Sequence, residues 1–217
     1  MISRSAVSLL VVAVAVASAS SAAGSPSPIG PSIYVARPDP RACPSPLCGG
    51  YWVARANHAR TRCHDGLLRP RCYVADAVDA DGHPLEAGIP EGSLARADIE
   101  PRAYDGFREL GMLIVADVRA PVGKGVKGTY YRVRDLGIRC VRAPCFHLRA
   151  SRLNRPPRTI VSSLDLVSVA RPSTAELARA EAVLSTSNGL WLLGNVIETS
   201  DAGRILLASR FYLRSKG

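Results

Sequence analysis

Short apolar runs broken by turn residues recur along the chain, and they predict strands far more often than helices. Ile33, Tyr34 and Val35 mark a strand over 32–37, and Tyr51, Trp52 and Val53 mark another over 51–56. Further strands are expected at 72–78, 112–118, 128–134, 146–150, 190–198 and 205–213, with one or two within 159–169. The run 93–105 is ambiguous, because Pro101 interrupts any helix there. Only 174–184 has helical spacing: Leu177, Ala180 and Leu184 share a face, and Ser173 with Glu176 makes a capping box.

The pattern is internally repeated. Tyr34, Arg37, Cys43, Cys48 and Asn57 are each followed 97 residues later by the same residue type, at Tyr131, Arg134, Cys140, Cys145 and Asn154. A repeat of this length means two copies of one supersecondary unit. Phe211 and Arg214 reproduce the aromatic-x-x-Arg of Tyr34–Arg37 and Tyr131–Arg134 near the end of the chain. The expected organisation is a first unit over 33–127 and a second over 128–217, sharing an interface.

Ahead of them, 1–23 reads as a secretory signal peptide. Arg4 precedes an apolar stretch over 6–17 that is too short to span a bilayer comfortably, and Ala17-Ser18-Ala19 offers a cleavage site. Residues 24–32 are nearly all Ser, Pro and Gly, which predicts a flexible lead-in. Export implies an oxidising compartment, and six cysteines make three bridges the natural expectation. At the repeat offset Cys63 and Cys72 correspond to Ile160 and Val169, so both members of one pair were exchanged together. That argues for Cys63–Cys72, leaving Cys43–Cys48 and Cys140–Cys145 as local clasps; a bridge between halves through the C-x4-C cysteines is the alternative. Zinc at those cysteines is disfavoured by export and by the third pair.

The formal charge is +10, from 28 basic and 18 acidic side chains. The arginines are scattered among acids, with no run forming a stripe, which reads as a solvated positive surface rather than a dedicated polyanion site. No catalytic constellation emerges. His58, His64, His83 and His147 read as surface or loop histidines, and Asp79-x-Asp81-Gly82 reads as a polar turn rather than a calcium loop. The repeated Asn57 and Asn154 suit turn positions that bond the backbone, and the repeated Arg37 and Arg134 could bind a carboxylate or stack on an aromatic ring. The stretch 139–145 places Arg139 and Arg142 in a stiff clasped loop, the shape used by protease inhibitors.

The run from Arg41 through Cys43-Pro44-Ser45-Pro46-Leu47-Cys48-Gly49-Gly50 to Tyr51, with the later 139–145 segment and Phe211-Tyr212-Leu213, resembles the signature of a family of exported bacterial proteins of unknown function. The resemblance implies export, bacterial origin and the cysteine framework, and carries no catalytic residue, ligand or mechanism.

The sequence therefore describes a mainly β, α+β protein: two related antiparallel β units with short helices, clasped by disulfides and located outside the cell or in its envelope. Its expected role is that of a non-enzymatic binding or envelope-associated module, with an extracellular protein or an anionic wall polymer as partner and no specific nucleic-acid binding. An extracellular protease inhibitor and a wall-directed hydrolase are the rival readings. Arg37, Arg134 and Arg142 are the candidate binding residues; no cofactor or metal is expected.

Overall fold

The computed structural model describes residues 31–125 and 127–214. The expected signal segment and most of the lead-in lie outside the described residues; Ser32 opens the first strand and is buried.

The protein is mainly β, and its strands close two rings. The first comprises β1 (Ser32–Pro38), β2 (Tyr51–Arg55), β5 (Cys72–Val78), β6 (Ser93–Tyr104) and β7 (Phe107–Val122). A small hairpin of β3 (Thr61–Arg62) and β4 (Leu68–Arg69) stands apart. Pairing runs β1–β2–β5–β7–β6 and back to β1, all antiparallel except the parallel β5–β7. The second ring uses β8 (Thr129–Asp135), β9 (Leu148–Arg152), β10 (Arg158–Val161), β11 (Ser163–Asp165), β12 (Leu190–Thr199) and β13 (Gly203–Arg214). Only Ser162 separates β10 from β11, so together they make one side of this ring. Pairing runs β8–β9–β10/β11–β13–β12 and back to β8, with β11–β13 the parallel pair.

Each ring has its own apolar core. Tyr34, Val53, Val74, Ala97 and Leu113 fill the first; Tyr131, Val133, Leu192, Leu206 and Phe211 fill the second. A third cluster lies between them, where Ala56, Leu94, Leu153, Trp191 and Tyr212 pack with Ile33 and Tyr130. There the end of β13 also pairs β7, Tyr212 opposite Pro121 and Arg214 opposite Arg119. Phe211 and Tyr212 meanwhile face Leu192 and Trp191 on β12. Gly50 marks a tight approach of β2 to β5: a side chain there would run into the backbone at Val74 and Ala75.

The helix α1 (Thr174–Leu184) begins at the expected capping box, Ser173 Oγ accepting from Glu176 N and Glu176 Oε2 accepting from Ser173 N. Of the run 93–105, residues Ser93–Tyr104 form β6 and Asp105 begins the turn that follows. Pro101 sits well along this strand, where β7 is the partner on one side and β1 has already ended at Ala97. The disulfides are Cys43–Cys48, Cys63–Cys72 and Cys140–Cys145, with no bridge between the halves.

Candidate functional site

Strands present alternate side chains to opposite faces, so a closed ring buries one set and displays the other. On β8 the inward set is Tyr131 and Val133; the outward set includes Arg132 and Arg134. On β9 the inward Ala150 alternates with outward Arg149 and Ser151. The antiparallel register sets Arg134 directly opposite Arg149 and Arg132 opposite Ser151, while Arg158 of β10 faces Ser151 from the other side. Four guanidinium groups thus share one outer face. Like charges directly opposite on a sheet are unfavourable. No carboxylate among the described residues lies within ion-pairing distance of any of the four. Burial holds the Arg132 proton affinity below its ordinary value, and the charges of Arg134 and Arg158 add to that effect.

This face walls a cleft of about 510 Å³ that, among the described residues, is lined by nine arginines and a single acid, Asp117. The acid is fully engaged. Its Oδ2 accepts from Arg119 Nε at 3.0 Å and its Oδ1 from Arg214 Nε at 2.9 Å. Arg119 is 5% exposed, donates to Gly189 O at 3.1 Å and lies 3.9 Å over the Trp191 ring. Burial lowers the Arg119 proton affinity, with Asp117 opposing the shift. On the cleft floor one carboxylate is thus shared between two guanidiniums, whereas the β8–β9–β10 wall has no counter-acid among the described residues.

The rim of the cleft is the seam between the rings. Asn154 has φ of 56° and Asn57 φ of 62°, left-handed values that asparagine tolerates better than most residues. Asn154 accepts from Ile33 N at 2.9 Å and donates to Ile33 O and Ala56 O at 2.7 and 3.0 Å. Asn57 accepts from Tyr130 N at 2.9 Å and donates to Tyr130 O and Leu153 O at 2.7 and 2.9 Å. Beside them Arg155 Nε donates to Asn57 O at 3.0 Å, and His58 Nε2 lies 3.0 Å from Asn154 O. Each asparagine thus completes the backbone hydrogen bonding of the other ring.

A second groove, of about 430 Å³, opens on the first ring. It includes Val35, Arg37, Trp52, Ala54, Asn57 and His58. At the 97-residue offset these positions are Arg132, Arg134, Arg149, Ser151, Asn154 and Arg155, all of which line the arginine cleft. Two stretches of strand at the same sequence offset therefore carry different chemistry. Trp52 is pinned: its Nε1 donates to Asp39 Oδ1 at 3.1 Å, and Tyr73 packs 5.5 Å away. Arg41 binds the same carboxylate, at 2.8 Å from Oδ2, and stacks on both rings.

Hydrogen bonds from Arg41 hold the Asp39 carboxyl below its ordinary range, against the opposing effect of burial. A lowered folded-state value means that the carboxylate contributes stability above the unfolded value of about 3.9 and loses it as pH falls further. Thermal stability should hold between about pH 7 and pH 4 as far as this group is concerned, and fall below. Melting curves of the Asp39→Asn variant should lack that share of the acid limb and start from a lower melting temperature at neutral pH. An acid limb identical to that of the parent protein would rule the account out.

Of the candidate binding residues, Arg134 lies in the arginine cleft and Arg37 in the groove of the first ring. Arg142 sits exposed in the second clasp, beside the fully exposed Val141, and lines neither. Asp79 caps its turn by accepting from Asp81 N and His83 N, both at 2.9 Å. Reading the arginines as scattered overlooked Arg149 and Arg158. The signal was present: Arg132 and Arg134 share strand parity, as do Arg149 and Ser151.

The family model of a domain of unknown function, DUF6748, matches residues 32–217. The chain belongs to the DUF6748 family. Neither a curated protein nor a solved structure matches it. The DUF6748 match begins at the first residue of β1 and takes in both rings, the seam and the arginine cleft. No helix among the described residues is long and apolar enough to cross a membrane.

Proposed function

We propose that the protein is an exported, non-enzymatic binding module that holds an anionic extracellular polymer in its arginine cleft. The observation that carries this reading is the set of outward guanidiniums at Arg132, Arg134, Arg149 and Arg158, which face one another without a counter-acid among the described residues. Such a face costs stability unless anions occupy it, and Arg is the side chain suited to bidentate contact with phosphate, sulfate or carboxylate. Removal of residues 1–23 on export is part of the proposal, and the three disulfides fit it.

The reading extends to organisation: two units, 33–127 and 128–217, descended from one duplicated ancestor. Supporting it are the pairs Tyr34–Arg55 and Tyr131–Arg152, which fall at the same 97-residue offset as the two asparagine locks and the two clasps. Strand order points the same way, for each ring is first–second–third–fifth–fourth with a parallel third–fifth pair. That connectivity is the one found in OB-type Greek-key barrels. By analogy of fold alone, such barrels bind oligonucleotides and oligosaccharides on the second and third strands. Here those strands are β9 and β10, which contribute Arg149 and Arg158.

The test is equilibrium binding of the mature protein to a polyglycerol phosphate, to dextran sulfate and to uncharged dextran across a salt series. The expected result is binding to the two charged polymers only, with log K falling against log salt at a slope of about −3, as for about four ionic contacts. Equal binding to uncharged dextran, or none to the charged polymers at low salt, would overturn the reading. An oligonucleotide of matched charge that binds far more tightly would replace the wall polymer with nucleic acid.

A further inference from the structure

We infer that the groove on the first ring is a second binding site, selective for a planar ring bearing an anionic group. The floor of this groove is apolar and aromatic, formed by Val35, Trp52, Ala54 and Tyr130, and no carboxylate among the described residues lines it. Its volume of about 430 Å³ falls within the range of small-molecule sites, which are largely apolar with a few convergent polar groups. Three arginines, Arg37, Arg55 and Arg71, line the groove, and two of them lie at the indole. Arg37 lies directly opposite Trp52 on β1, and the Arg71 guanidinium lies 4.9 Å from the Trp52 ring. Both residues are exposed, and neither has an ion-pair partner among the described residues.

The indole is held in place before any ligand arrives. Asp39 fixes its nitrogen edge, and Tyr73 with Arg41 packs on the side toward the first clasp. A rigid aromatic surface loses little conformational entropy when a ring settles on it. Arg71 already lies over this ring, its guanidinium carbon 4.9 Å from the centroid. An incoming ring that displaces the Arg71 guanidinium takes over its place on the indole, while the anionic substituent meets Arg71 and Arg37.

Comparison with the arginine cleft sharpens the assignment. At the equivalent positions that cleft has Arg132 for Val35, Arg149 for Trp52 and Arg155 for His58. The cleft has charge without an exposed aromatic floor, which suits a chain of anions. The groove has three arginines beside an aromatic floor, only Arg37 and Arg71 of them at the indole, which suits one anion attached to one ring. The two sites meet at the Asn57–Asn154 seam, so a polymer held in the cleft passes close to the groove.

The experiment exploits the fact that the chain has two tryptophans, giving two resolvable indole N–H signals in a nitrogen-correlated NMR spectrum. Phenyl phosphate, phenol, inorganic phosphate and a neutral disaccharide are titrated in turn. Phenyl phosphate should shift the Trp52 indole and the Ala54 and Asn57 amides, binding at least fivefold more tightly than phenol or phosphate alone. The Arg37→Gln, Arg71→Gln double variant should lose at least fivefold in phenyl phosphate affinity yet keep its affinity for dextran sulfate. Arg149→Gln should behave in the opposite way, so this site and the polymer cleft can fail separately. The inference is overturned if Trp52 stays unmoved, if phenol or phosphate alone binds as well, or if the disaccharide shifts Trp52 where phenyl phosphate does not.

Discussion

Replacing Arg134 and Arg149 together with Gln will make the protein more stable and a poorer ligand of anionic polymers. The two side chains are direct cross-strand neighbours on the outer face of β8 and β9, with Arg132 and Arg158 beside them. Relieving like charge between facing strand residues is worth about 0.5 to 1 kcal/mol, or about 1–4 °C in melting temperature for a protein of this size. The loss in binding should be much larger. Charge-assisted hydrogen bonds contribute about 1.5–3 kcal/mol each, so removing two should weaken polymer affinity by at least about a hundredfold. Salt offers an internal check, since screening should narrow the stability gap between variant and parent. Calorimetry and a polymer-binding titration on the same preparations read both quantities. A variant that is less stable and binds normally would mean that these arginines are structural, and the proposed cleft would lose its basis.

The Asn154→Ala variant is expected to be strongly destabilised. The amide group makes three hydrogen bonds to the first ring, at Ile33 N, Ile33 O and Ala56 O. Alanine would remove all three and would still have to adopt φ of 56°. At about 1 kcal/mol for each bond, the cost is about 3 kcal/mol, a fall of about 6–12 °C in melting temperature. Asn154→Gly helps separate the two contributions: glycine accepts the left-handed backbone freely, so the difference between the glycine and alanine variants reads the strain less glycine's entropy cost of about 0.5–1 kcal/mol. Asn57→Ala should behave alike, because Asn57 makes the reciprocal bonds to Tyr130 and Leu153. The double variant should fall short of the sum of the singles, since both side chains hold one seam. A shift of under about 2 °C in either single variant would show that the third core cluster holds the rings together without them.

Much of this arrangement was legible in the residues. The capping box at Ser173 and Glu176 placed α1, and the apolar Ile160 and Val169 found 97 residues after Cys63 and Cys72 pointed to the disulfide pairing now seen. Both rest on local chemistry or on direct comparison within the chain. The run 93–105 was not legible, because a single proline rules out a helix interior without excluding a strand whose neighbour has ended. The asparagines could be assigned to turns. Their bonding to the opposite ring could not, for those partners lie 73 to 121 residues away.

By itself, the sequence determined strand periodicity, the cysteine framework, the helix cap and the five-position echo at a spacing of 97 residues, because each depends on neighbours along the chain or on identity between its parts. Tertiary structure alone decided that the arginines converge. Their strand parity was written in the residues, but which strands lie side by side, and which outward faces join into one concave surface, is set by ring closure across long separations. Scattered charges became a focused field only when β8, β9 and β10 met in register.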